Sequence, residues 1–521
     1  MVGHRLACWI VVVAALLAGC AGMPAVDGRP ISHAEQASTQ TSLGRFAQRI
    51  DLPAGQSGFW SLPQAEFALD ARIELIRRAE RAVDLQTYQI GNDGVGRAIL
   101  KELRDAARRG VRVRLLVDDF NTLGLDRALL QLAAHDHVEV RLFNPFVFGR
   151  DSAAGRVWNL LTDLSRLNHR MHNKLFVVDG ALAIAGGRNL TDAYFMLGTD
   201  DDFIDFEFLI AGALVPQLGD LFDRYWNHPR VIDIRRLSDD GLSGEQLQAD
   251  FETLVATAPP HRQPTGADLL GVPAIGMALD GGPTRFRAAS AQVYADDPSK
   301  TIDPQGPSDS PQPQSTLAWV EPRALQVMSE SILISPYFLP ERRVRQHMRQ
   351  AAGRGVSIKI VSNGVAASDE PVVALAAQRH RDELLKAGVR LFEVNPTPAT
   401  RTPLTEGAPP GAKIRLHAKM GIFDRKTLAF GSINLDPRSH RINTEIAITI
   451  ESPALAADIA NAIEAWLQTD GVYEVTPSTQ GVQWRVGNGA QHKQLDDEPG
   501  TGWWTRLRLG LLYLLVPDEW L

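Results

Sequence analysis

The chain has 521 residues, 44% of them hydrophobic and 22% charged, a balance that supports one large core or two medium ones and excludes a disordered polymer. A formal net charge of −7 without any dense Lys/Arg run argues against nucleic acid as the main partner, because phosphate-backbone binders present a basic field. The two cysteines, Cys8 and Cys20, both lie near the N-terminus, which excludes a disulfide framework or a Cys-ligated metal centre in the body of the chain.

The first element is MVGHRLACWIVVVAALLAGCAG, a weakly basic start, an apolar stretch and a small-residue run ending in Cys20. It reads as a secretory signal over 1–19, with an apolar stretch shorter than a spanning helix needs. Leu17-Ala18-Gly19-Cys20 resembles a bacterial lipobox, which implies cleavage before Cys20, lipidation of its sulfur and an anchor at a membrane surface. Ala21, in place of Asp, leans the expected location towards the outer membrane, with the protein facing the periplasm. Residues 20–60 read as a linker.

A first lobe is expected over 61–237. Leu69, Ile73, Ile76 and Ala79 recur at helical spacing and run into the alternating VDLQTYQI, which predicts helix then strand. The next helix ends at AARRG, with Gly110 where a helix C-terminus meets the buried strand VRVRLLVDD. His135 and His137 flank Asp136 and are metal-ligand types, but the stretch reads as a solvated loop, and no metal or cofactor is expected. Residues 238–315, rich in Pro, Gly, Ser, Asp and Gln, read as a linker or surface excursion with some helix. A second lobe over 316–475 repeats the order: SILISPYFLP, then a basic stretch, ERRVRQHMRQ, that reads as an exposed helix face. That helix ends AAGRG at Gly355, followed by the strand VSIKIVSNG. Residues 397–410 form another loose stretch. The tail, 476–521, looks irregular until GWWTRLRLGLLYLLVPDEWL, an apolar segment suited either to a membrane interface or to docking on the body.

Gly110 precedes His172 by 62 residues and Gly355 precedes His417 by the same 62, so the chain reads as two copies of one α/β unit. Each copy then carries H-x-K-x4-D-x6-G-[GS]-x-N without a gap. The first is His172, Lys174, Asp179, Gly186-Gly187-Arg188-Asn189; the second is His417, Lys419, Asp424, Gly431-Ser432-Ile433-Asn434. With nine lysines in the whole chain, two at matched positions behind matched histidines form a specific signal.

The residue types fit phosphodiester chemistry. One imidazole attacks phosphorus while the other protonates the departing oxygen. Lys174 and Lys419 neutralise the non-bridging oxygens, and Asn189 and Asn434 donate to them in the transition state. The segments MHNKLFVVD and LHAKMGIFD alternate in strand fashion, which predicts His and Lys on one strand face. A carboxylate is expected behind each histidine to fix its tautomer. The candidates are Glu445, 28 residues beyond His417, and in DFIDFEFLIAG either Asp205 or Glu207, with Asp205 favoured because it precedes the apolar strand as Glu445 does.

These duplicated motifs resemble the phospholipase D superfamily over nearly the whole mature chain. The resemblance implies an α/β fold of two phospholipase D-like lobes, each a mixed β-sheet flanked by helices, related by a pseudo-twofold with the active site at their interface. It implies a phosphohistidine intermediate, no metal, His172 as nucleophile and His417 as acid, a choice that the symmetric motifs themselves leave open. Asp179 and Asp424 are structural in that family. SPYFLP, GSINLDPRS, the lipoprotein-like leader and the PDEWL end are similar to bacterial cardiolipin synthases of the C-type subgroup. That likeness implies phosphatidylglycerol as acceptor, phosphatidylethanolamine or phosphatidylglycerol as donor, and Arg438 and Ser439 near a second phosphate site, with Gly187 and Ser432 as further phosphate-binding candidates. Two other readings stay open: a hydrolase or nuclease using the same two histidines, and a non-enzymatic envelope scaffold, against which both intact motifs stand. An accessory protein is also left open.

Overall fold

The computed structural model describes residues 28–238, 241–301, 326–479, 481–487 and 493–513. The leader, Cys20 and the PDEWL end lie outside these residues.

The first repeat forms because apolar residues alternate between helical and strand periods. The Ala65–Arg78 helix buries Phe67, Ala71, Leu75 and Ile76 and is followed by β2 (Ala82–Thr87). The Gly94–Arg108 helix ends at Gly110, whose φ of 88° lets the chain turn at once into β3 (Arg112–Asp118). The strands β4 (Val138–Phe143), β5 (Leu175–Val178), β6 (Leu182–Gly186), β8 (Glu207–Gly212) and β9 (Val231–Asp233) complete the half-sheet, preceded by β1 (Ser57–Leu62). β2, β3 and β4 run parallel, as right-handed helical crossovers require, and the others are antiparallel.

The second repeat copies this with β11 (Glu330–Ile334), β12 (Ser357–Asn363), β13 (Arg390–Val394), β15 (Met420–Phe423), β16 (Thr427–Gly431), β17 (Ile446–Glu451) and β18 (Val472–Ser478). Here too the first three are parallel and the rest antiparallel. Gly355, at φ 91°, makes the same helix-to-strand turn as Gly110.

The halves are not two separate sheets. β1 pairs with β8 on one side and with β10 (Arg287–Ala295) on the other, and β10 pairs with β17. With β19 (Gly481–Val486) and β20 (Lys493–Leu495) at one end, these strands form one 18-stranded sheet running β9-β4-β3-β2-β5-β6-β8-β1-β10-β17-β16-β15-β11-β12-β13-β18-β19-β20, with the pseudo-twofold between β1 and β10. Three expectations are corrected. Residues 20–60 do more than link: the Ser42–Arg49 helix buries Leu43 and Phe46 in the core, and β1 begins at Ser57. Residues 238–315 are more than a surface excursion, since β10 alternates buried or half-buried side chains (Ala289, Ala291, Val293, Ala295) with mostly exposed ones and stitches the lobes together. The tail is not irregular either: β19 and β20 extend the second half-sheet. Apolar packing crosses the junction, where the Phe208 and Phe430 rings lie 4.6 Å apart, and one core serves both lobes.

The Trp503–Tyr513 helix docks through Leu509 beside Val365 and Ala374 and leaves Trp504, Leu507 and Leu511 exposed. No helix among the described residues is long and apolar enough to cross a membrane.

Candidate active site at the lobe interface

Two short cross-lobe pairings position the histidines. β14 (Lys413–Leu416) lies parallel to β7 (Asp201–Ile204), and the next amide, His417 N–H, donates to Ile204 O at 2.8 Å. In the other half a single bridge joins Met171 to Thr444, and His172 N–H donates to Thr444 O at 2.9 Å. In both cases the residue before the histidine pairs with the residue before the opposite lobe's carboxylate. The expected strand through H-x-K is thus corrected. The own-lobe strands begin only at Leu175 and Met420, because the backbone changes hydrogen-bonding partner, from the other lobe to its own sheet, across the three motif residues.

This hand-over crosses the carboxylates. His172 Nδ1 lies 2.9 Å from Glu445 Oε2, and His417 Nδ1 lies 2.7 Å from Asp205 Oδ2. A histidine bonded to carboxylate through Nδ1 carries its proton there and keeps the Nε2 lone pair for chemistry. Glu207, the rejected alternative, is instead held by Arg72 and Arg188. The two imidazoles face one another with ring centroids 6.4 Å apart. Edge-on aromatic contacts fix them further: Tyr88 at 5.1 Å from His172 and Tyr194 at 4.8 Å from His417.

Each lysine is tied to its own motif, Lys174 Nζ donating to His172 O at 2.7 Å and Lys419 Nζ to His417 O. All four side chains are buried. Burial holds the His172 imidazole down to about 4, despite the opposing pull of Glu445, and holds His417 well below the ordinary imidazole value, with Lys419 and Lys174 adding to the effect. Burial also lowers the Lys419 ammonium to about 8 and Lys174 well below its ordinary value. The two carboxylates differ. Burial would raise Glu445, but His172, Lys174 and the Ser432 hydroxyl outweigh it and bring it below its usual range. Asp205 stays raised by burial, with Lys419, Arg188 and the Phe206 amide opposing.

The remaining motif residues support these groups. Ser432 and Ser439 both give their hydroxyl protons to Glu445, Ser439 at 2.7 Å from Oε1. A hydroxyl has one proton, so these two serve the carboxylate and not a phosphate. Gly187 holds the place of Ser432 in the first lobe, where a Cβ would meet Asp205 Oδ1 at 2.3 Å; the shorter carboxylate packs directly on the glycine. Arg438 reaches across the interface to Asn168, at 2.8 Å to its side-chain oxygen. Asn189 and Asn434 are buried three residues beyond the β-turn glycines' strands, each with its amide oxygen unpartnered among the described residues. Asp179 and Asp424 point elsewhere. Both sit at φ 51°, and each accepts three successive amides, from Glu80, Arg81 and Ala82 or from Met328, Ser329 and Glu330.

Sequence reasoning missed several supports. Asp118 accepts Met171 N–H at 2.8 Å and pairs with Arg170, fixing the approach to His172. Asp296, inside the presumed linker, accepts Glu445 N–H at 3.0 Å. Tyr88 was visible only as part of the stretch VDLQTYQI, and nothing in the sequence singled out Tyr194. The histidines flanking Asp136 are split: His135 is buried against Phe251 with Nδ1 3.2 Å from Leu132 O, so only Asp136 and His137 are solvated.

Residues 72–226 and 323–467 each match the family described as Cardiolipin synthase, PLD-like domain. The chain is 36% identical over 477 residues to Cardiolipin synthase C of Escherichia coli, covering 90% of this chain and 96% of that protein. It is 25% identical over 413 residues to Cardiolipin synthase A of Pseudomonas fluorescens, covering 78% of this chain and 67% of the other. Among solved structures, the phosphatidylserine synthase of Haemophilus influenzae aligns with a TM-score of 0.58 at 14% identity, covering 92% of this chain and 100% of that one, which is a likeness of fold. Fold and site together define a two-lobed enzyme with one composite His–Lys centre. The chain belongs to the phospholipase D superfamily, in its cardiolipin synthase family, and is an enzyme of the phosphatidyltransferase type.

Proposed function

We propose that the protein makes cardiolipin by moving a phosphatidyl group from phosphatidylethanolamine or phosphatidylglycerol to the free glycerol hydroxyl of a second phosphatidylglycerol. The observation that carries this reading is the crossed pair of His–carboxylate contacts at one buried interface, His172–Glu445 and His417–Asp205. His172 Nε2 attacks phosphorus and the bond to the headgroup oxygen breaks, while His417 supplies the proton that the leaving alcohol takes. In the second half His417 takes a proton back from the acceptor hydroxyl, its oxygen attacks phosphorus, and the N–P bond of the phosphohistidine breaks.

The substrate's own charge sets up the acid. Burial, and after it the Lys419 and Lys174 cations, hold His417 deprotonated; a phosphodiester anion entering between the lysines offsets the cations and raises His417 towards the protonated form. The lysines and the amides of Asn189 and Asn434 then stabilise the five-coordinate phosphorus. Burial favours an alcohol over water as acceptor, because the phosphohistidine forms in a site that excludes bulk solvent. Cys20 supplies the lipid anchor, in the outer membrane facing the periplasm, and keeps the enzyme at its substrate; the exposed Trp504, Leu507 and Leu511 add an apolar contact for the same surface.

The test is a lipid profile of cells that lack cardiolipin and express the protein, beside His172→Ala and His417→Ala versions. Cardiolipin with the intact chain, reduced by about 10³-fold or more in either variant, is expected. Phosphatidic acid in its place would mean hydrolysis. No lipid change in cells, followed by activity once an envelope extract is added, would mean that an accessory protein is required.

A further inference from the structure

An apolar cavity of about 420 Å³ lies behind the segment that bears His417, lined mainly by the second lobe and closed on one side by Pro63, Ile204, Asp205 and Phe206 of the first. Leu416 and Ala418, which alternate with His417, line it together with Ile334 and Met420. Ile459, Ile463 and Trp466, on one face of the Pro453–Trp466 helix, form a wall, and the exposed Thr400, Arg401 and Pro403 frame the mouth. Leu269 and Leu270 approach from the 238–315 segment. The 238–315 segment and the 397–410 stretch therefore meet at one cavity.

The matching positions in the first lobe carry larger side chains. The ion pairs Arg114–Asp223 and Lys359–Glu464 occupy matching positions, so the Val215–Trp226 helix aligns with Pro453–Trp466. That register sets Leu221 against Ala462 and Phe222 against Ile463, while the motifs set Asn173 against Ala418. Leu221, Phe222 and Tyr225 are at most 1% exposed. Tyr225 donates to Asp296 O at 2.7 Å, and Thr444 donates to Asn173 at 2.9 Å. Ala462, Ile463 and Ala418 are thus smaller than Leu221, Phe222 and Asn173, which leaves side-chain volume free behind His417, while Trp466, larger than its counterpart Tyr225, forms a wall of the cavity.

We propose that this cavity binds a single acyl chain of a phospholipid, with the lipid's anionic phosphate at Arg401. An apolar cavity of roughly 150 Å³ holds benzene and stays otherwise dry, so on the same scale about 420 Å³ has room for about sixteen carbons. The walls offer dispersion contacts that only a hydrocarbon recovers, and the mouth offers one exposed guanidinium for an anion. The cavity backs onto the phosphate centre, since Asp205, the carboxylate that holds His417, is part of its lining, whereas the two histidines and two lysines are not; it rests on the phosphatidyl-transfer reading only for the source of the chain. A free fatty acid shares the chemistry.

The probe is 11-(dansylamino)undecanoic acid, titrated into the full-length protein by fluorescence. One saturable site is expected, displaced by lysophosphatidylglycerol. Ala462→Leu/Ile463→Phe, which restores the first lobe's side chains, is expected to weaken the probe at least tenfold, and the surface change Arg401→Glu, which leaves the core untouched, to weaken lysophosphatidylglycerol by a similar factor. Unaltered binding in both variants, or no binding to the intact chain, overturns the proposal; displacement by oleate but not by lysophosphatidylglycerol overturns the phospholipid assignment. The His172→Asn protein, which cannot turn over, is expected to bind the probe normally, so failure of the transfer reading and failure of this one are seen separately.

Discussion

At the scale of single residues, the site works by burying charges that are individually costly and letting neighbours decide their protonation. Lys419, lowered to about 8 by burial, loses its proton as pH rises through that value, and with it the cation facing the phosphodiester. The expected kcat/KM therefore declines above about pH 8, and Lys419→Arg, whose guanidinium stays charged, moves the decline to higher pH. An unmoved alkaline limb in that variant would mean another group titrates. Ser439 offers a second test. Its hydroxyl holds Glu445 at 2.7 Å, and Glu445 holds His172, so it is a positioning residue. Ser439→Ala is expected to lower kcat by about 10–100-fold with KM little changed. Equal loss in KM would point to substrate contact. Both lysines and both histidines were legible from the spacing alone, because the chemistry demands those residue types. The hydroxyls were legible only as motif members, since nothing in G-S-x-N or R-S says which atom receives the proton.

At the scale of elements, the motif aspartates hold the repeat's architecture. Asp179 sits at φ 51° with its carboxylate on three successive amides at the entry to β2, and is 1% exposed. Asp179→Ala strands the buried Ala82 amide outright and leaves the Glu80 and Arg81 amides, at an exposed and a half-buried residue, to water, so a loss of about 1–3 kcal/mol is expected in chemical denaturation. Activity per folded molecule should survive; its disappearance in a fully folded variant would give Asp179 a catalytic part. The helices ending at Gly110 and Gly355 were readable because glycine there has a local reason. β10 and the β19–β20 pair were not readable. Their sequences sit in Pro- and Gly-rich surroundings, and what makes them strands is a neighbouring edge that only the folded sheet provides.

At the scale of the whole molecule, the sheet is continuous and the active site is exchanged across it. His172 depends on Glu445 and His417 on Asp205, so neither lobe contains a complete centre. A double-mutant cycle reads this directly. His172→Gln with Glu445→Gln is expected to show coupling of about 0.5–3 kcal/mol in transition-state stabilisation, and His172→Gln with Asp205→Asn markedly less. Equal coupling in both cycles would contradict the crossed arrangement. The sequence by itself determined the duplication, the two His–Lys pairs, the α/β class and the candidacy of Glu445 and Asp205, because repeats, helical and strand periods and reactive residue types are local properties of a chain. Tertiary structure alone decided which carboxylate serves which histidine, that the lobes share one sheet, and that an apolar cavity stays open behind His417. Those outcomes depend on pairing between segments up to some 270 residues apart, as His172 and Glu445 are, and no local pattern encodes which distant edge a backbone amide will meet.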